Sequence, residues 1–210
     1  MYNRNMSSNR RSPRAPGYDY TQPGAYFVTL LTWRRAPILG EVLDECVHLS
    51  PIGRLVYTEW RRLALRFEFV ALDEFVIMPD HVHGILWLQV PGEAQPHQPQ
   101  LSMACLAFTG SVAPSDCKGE ARQPDANSDR TSLARPRGAA AHSLGAIVGA
   151  FKSSVTLRAN LMQNESRSSV WQRNYYEHII RTEAELNRTR LYIQQNPLKW
   201  VRNRSNNLDV

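Results

Sequence analysis

Cysteine is nearly absent from this chain. Its three copies, Cys46, Cys105 and Cys117, form no CxxC pair and leave an odd one over, which speaks against a disulfide framework and against a zinc knuckle. Free thiols in a reducing compartment are expected. Long apolar runs are lacking too: none approaches the roughly 18 residues of a membrane span, and the opening MYNRNMSSNRRSPR has no apolar segment of the kind a secretory signal carries. A cytoplasmic protein with no membrane contact is expected. No glycine-rich strand-to-helix fingerprint occurs, which argues against a doubly wound nucleotide-binding sheet.

What is present suffices for a core, since 42% of the 210 residues are hydrophobic, in keeping with one domain plus additions. The formal charge of +6 points to a polyanionic partner, nucleic acid first, although ordinary basic soluble proteins carry a similar excess of arginine. Residues 1–24 read as a basic arm, broken by Pro13, Pro16 and Pro23, with Arg4, Arg10, Arg11 and Arg14 set against Asp19 alone. A domain over 25–200 follows. It is interrupted by a Pro-, Gln-, Ser- and Ala-rich insertion at 91–142 whose weak periodicity predicts disorder, and residues 201–210 form a tail.

Within the domain, GAYFVTLLT predicts a strand over 24–32. Helical spacing runs over 41–65, interrupted or restarted at Ser50-Pro51. FEFVALDEFVIMP predicts a strand over 67–79 with a bulge near Asp73. Pro79 closes that strand, and HVHGILWLQV returns as its hairpin partner beyond a turn at Asp80. Leu144, Ile147, Val148, Phe151 and Val155 recur at helical spacing over 143–160. VWQRNYYEHIIR includes a strand with His178 toward the sheet, and Thr182 with Glu185 forms a capping box for a last helix that ends by Pro197. The order predicts an α+β fold, a ferredoxin-like antiparallel sheet with helices on one face.

The chemistry concentrates at MPDHVHGILWL. Residues two apart on a strand share a face, so His81 and His83 project together and could grip one ion. Histidines at strand ends are also often half buried and hydrogen-bonded, and a third ligand is needed to decide. In RLYIQQNPLKW, Tyr192 and Asn196 stand four apart, on one helical face, with Asn196 at the helix end because a proline follows it. A terminal-helix tyrosine is by itself more often a packing residue.

Taken in order, HVH after a proline-closed strand, WQRNYYEHIIR and YIQQNP resemble the HUH single-tyrosine transposases, specifically the REP-associated tyrosine transposases of bacteria. RRSPRAPGYDYTQPGAYFVTL and SLGAIVGAFKS are similar to that family as well, over roughly residues 8–90 and 143–200, with the insertion as the departure. The resemblance implies an HUH endonuclease-like fold, a metal site at His81, His83 and Asn196, and Tyr192 as nucleophile. It implies Mg²⁺ or Mn²⁺, although two imidazoles and an amide would also suit Co²⁺ or Zn²⁺. It further implies cleavage and rejoining of single-stranded, REP-like hairpin DNA through a 5′-phosphotyrosine, in a nucleoid-associated bacterial protein.

Tyr175 and Tyr176 are rival nucleophiles. Arg10, Arg11, Arg14, Lys152, Arg202 and Arg204 are candidates for backbone phosphate contacts, or they are solubilising charge. A non-catalytic hairpin-binding regulator on the same fold is the alternative. Monomer and homodimer both stay open.

Overall fold

Alternation in GAYFVTLL builds the central strand: β1 (Gly24–Leu31) buries Tyr26, Val28 and Leu30 in one apolar cluster and turns Ala25 and Phe27 to another. Two hydrophobic layers therefore flank one sheet. The computed structural model describes residues 17–90, 139–164 and 168–205, with side chains to Arg202. Arg10, Arg11 and Arg14, residues 91–138 of the expected insertion and the Arg204 side chain lie outside that description. Among the described residues no helix is long and apolar enough to cross a membrane.

The sheet is completed by β4 (Val70–Met78), β5 (His81–Leu88) and β6 (Tyr176–Ile180), in the order β4-β5-β1-β6, antiparallel throughout. With α1 (Pro51–Arg66) and α2 (Leu144–Gln163) as the crossovers, this is the ferredoxin-like α+β arrangement expected from the sequence. α1 and α2 lie on one face, where Trp60 of α1 reaches the sheet at Gly84. A Cβ on Gly84 would stand 2.3 Å from Trp60 Cζ2, so this position requires glycine. Glu59, buried on α1, accepts from Arg158 at 3.2 Å and Ser154 at 2.5 Å on α2 and ties the two helices together.

Four expectations need correction. The segment 41–50 is not helical: β2 (Gly40–Leu43) and β3 (Cys46–Leu49) form a separate hairpin. Asp44 and Glu45 take left-handed φ of 48° and 63°, the twist a two-residue hairpin turn requires, and Val42 pairs with Val47. The helix begins at Pro51, where a missing N–H costs nothing, and Ser50 Oγ caps it by accepting from Gly53 N–H at 3.0 Å.

Helices are also not confined to one face. α3 (Glu183–Gln194) packs Leu186 and Ile193 against Ala25, Ile85 and Ile180 on the opposite side. His178 is exposed and joins Glu185 of α3 at 2.6 Å rather than packing into the sheet. Finally, α3 does end before Pro197 as expected, but it is not the last helix. Gln195 closes α3, and a new helix, α4 (Asn196–Ser205), starts with Pro197 in its first turn.

Candidate active site

The two histidines occupy a central strand. His81 and His83 are both buried on the α3 side of β5, with ring centroids 4.5 Å apart. Asp80 Oδ1 lies 2.5 Å from His81 Nδ1; an ionised carboxylate can only accept, so Nδ1 carries the proton and the lone pair sits on Nε2. Arg35 Nε donates to the other Asp80 oxygen at 3.0 Å. Burial pushes the Asp80 carboxyl up, but the hydrogen bonds from His81 and Arg35 outweigh it and hold the group below the usual carboxylate range.

His83 Nδ1 meets Thr29 Oγ1 of β1 at 2.8 Å, an approach set by the cross-strand pairing of Thr29 with His83. Burial, reinforced by the neighbouring His81, pulls His83 down to about 3, so its ring is neutral near pH 7.

Tyr192 arrives from α3, and the bulge in β4 sets where that helix docks. The register shift between Leu72 and Phe75 turns Asp73 and Glu74 together toward α3, which strict alternation forbids. Asp73 accepts from Arg190 at 2.9 and 2.7 Å and from Trp87 Nε1 at 2.9 Å, while Gln194 donates to Glu74 at 3.1 Å. Arg190 and Gln194 are one helical turn apart and straddle Tyr192. The phenol is thereby placed with its Oη 3.4 Å from His83 Nε2 and its ring edge-on to Phe27.

A cavity of about 610 Å³ opens here, lined by Thr29, Leu31, Arg35, His81, His83, Tyr176, Tyr192, Asn196, Lys199 and Trp200. Among the described residues no carboxylate lines it. The four residues singled out from the motifs, His81, His83, Tyr192 and Asn196, thus meet at one place. Tyr176 also reaches the cavity, whereas Tyr175 lines a different one.

Lys152 lies elsewhere: its ammonium hydrogen-bonds the carbonyls of Gln172, Arg173 and Asn174, and burial lowers it to about 8. Arg202 is exposed on α4. Thr29, Arg35, Asp80 and Lys199 were not foreseen as site residues. Only Asp80, adjacent to the first histidine in DHVH, left a signal in the sequence that could have been read.

Among the described residues no group of three His, Cys, Asp or Glu could hold a metal ion. Protein ligands at this site would therefore be the two imidazoles and the buried amide of Asn196. The donor chemistry fits a divalent cation: each histidine has its Nδ1 engaged by a carboxylate or a hydroxyl, the arrangement that orients a ligating imidazole through Nε2.

No family model matches the chain. An uncharacterized protein of Haemophilus influenzae is 33% identical over 194 residues, which span 91% of this chain and 90% of that protein. This chain belongs to the family of that protein. Among solved structures, a REP-associated tyrosine transposase bound to a REP hairpin is similar over 87% of this chain and 71% of its own, at a TM-score of 0.48 and 15% identity.

Proposed function

We propose that this protein is a metal-dependent, single-strand-specific DNA nicking and joining enzyme that works through Tyr192 on hairpin DNA of the REP type. The observation that carries the reading is the phenol oxygen 3.4 Å from His83 Nε2, in a cavity shared with His81 and Asn196. A packing tyrosine would need none of these neighbours. The sequence resemblance of HVH and YIQQNP to single-tyrosine transposases supports the same assignment.

In the reaction, Tyr192 Oη bonds to phosphorus as the bond to the 3′ oxygen breaks. The 5′ side stays on the enzyme as a phosphotyrosine, the phenolic proton passes to water, and the departing 3′ oxygen takes up a proton to leave as a hydroxyl. The covalent link conserves the phosphodiester energy, so a 3′-hydroxyl can attack it later and rejoin strands. A bound Mg²⁺ or Mn²⁺, held by His81, His83 and Asn196, would neutralise charge on the scissile phosphate. The chain's own groups do the rest: Thr29 and Asp80 orient the rings, and the Asp73 and Glu74 bulge holds the tyrosine helix in place. Arg202, exposed on α4, is suited to a phosphate outside the cavity, and Arg10, Arg11 and Arg14 are candidates by charge.

The test is incubation of the full chain with labelled REP-like hairpins and Mg²⁺ or Mn²⁺, followed by a denaturing gel. A covalent adduct is expected for the parent and for Tyr176→Phe. Tyr192→Phe should bind the hairpin and form none. An adduct that survives Tyr192→Phe would falsify the nucleophile, and a parent that binds without any adduct would mark the protein as a binding regulator instead.

A further inference from the structure

We propose that Lys199 is a substrate-contacting residue whose ammonium holds the scissile phosphate beside Tyr192. The inference rests on the nicking reading above and extends it to a cation that no motif pointed to. Lys199 stands one turn into α4, three residues after Asn196, and lines the cavity that holds both histidines. Its Nζ lies 4.8 Å from the centroid of the Tyr192 ring.

The arginine that shares this cavity is already committed, as is the one that anchors α3. Arg35 is paired with Asp80 and Arg190 with Asp73, whereas no carboxylate pairs with Lys199 among the described residues. Beside it, the indole N–H of Trp200 is buried with no acceptor among those residues. α4 thus brings an accessible cation without a carboxylate partner to the cavity wall beside Tyr192. An accessible ammonium on that wall can meet a phosphodiester oxygen entering the cavity in a charge-assisted hydrogen bond.

A contact with the aromatic ring alone is the competing account, a weak attraction at an exposed site. The two accounts differ in what they predict for catalysis. Negative charge on the phosphoryl oxygens is stabilised by preorganised cations at the transition state, so a cation placed there acts on the rate more than on the binding of the hairpin.

The experiment measures adduct formation at saturating hairpin, hairpin affinity and melting temperature for Lys199→Met, Lys199→Gln and Lys199→Arg in the full chain. The neutral variants should form adduct about 100-fold more slowly, with hairpin affinity and melting temperature close to the parent. Lys199→Arg should recover most of the rate, because the charge is restored. The assignment is overturned if the neutral variants react at the parent rate. It is equally overturned if Lys199→Arg is as slow as they are, since shape rather than charge would then matter. A parent that forms no adduct would overturn the nicking reading itself, so the two failures are separable.

Discussion

Replacing Arg190 by methionine tests how the nucleophile is held. Asp73 is 1% exposed and Arg190 22%, so the two charge-assisted bonds at 2.9 and 2.7 Å sit almost wholly out of water. Removing the guanidinium leaves the Asp73 carboxylate with only Trp87 Nε1 and the Glu74 N–H. Stranding one partner of a buried pair costs about 3–5 kcal/mol, a large share of the roughly 5–15 kcal/mol by which a domain is stable.

With a urea dependence of about 2 kcal/mol per M, the unfolding midpoint of Arg190→Met should fall by about 1.5–2.5 M. Adding Asp73→Asn should return a good part of that loss, because the amide oxygen still accepts from Trp87 and no charge is stranded. Acid unfolding gives an independent reading. Burial pushes the Asp73 carboxyl up, but Arg190, Trp87 and the Glu74 N–H outweigh it and hold the group below its ordinary value. Its stabilisation is therefore complete above the unfolded value of about 3.9 and is lost as pH falls through the lower folded value. Arg190→Met should move acid unfolding to higher pH. A loss below about 1 kcal/mol, the range of an exposed pair, would refute the claim that this bond locks α3 in place.

Two further outcomes follow from the same geometry. Gly84→Ala would set a Cβ 2.3 and 2.7 Å from two Trp60 ring carbons, and should cost about 1–3 kcal/mol by overpacking in thermal unfolding; a variant as stable as the parent would contradict the packing of α1 on β5. Thr29→Val keeps the strand shape but removes the partner of His83 Nδ1. It should weaken Mn²⁺ binding about 10–100-fold by calorimetry, and an unchanged affinity would show that His83 is not oriented for coordination.

Local periodicity made much of the site legible. A spacing of two on a strand put His81 and His83 on one face, and the bulge near Asp73 came from charged residues interrupting an apolar strand. The spacing of Tyr192 and Asn196 brought them to one cavity even though the helix between them breaks at Gln195. The β2–β3 hairpin was missed because strands of four residues with mixed polarity imitate helical spacing, and only the left-handed Asp44-Glu45 turn distinguishes them. Lys199 was missed because its reach to Tyr192 crosses that same break.

By itself the sequence determined the order of the four sheet strands with α1, α2 and α3, and which side chains could act together locally, because those depend on repeat distances of a few residues. The tertiary structure alone decided that α3 crosses the far face of the sheet and that its phenol ends beside His83. The deciding contacts join residues 54, 109 and 117 positions apart, Thr29 to His83, His83 to Tyr192 and Asp73 to Arg190. Cross-strand register and buried charge pairing at such separations are set by packing, and no local spacing encodes them.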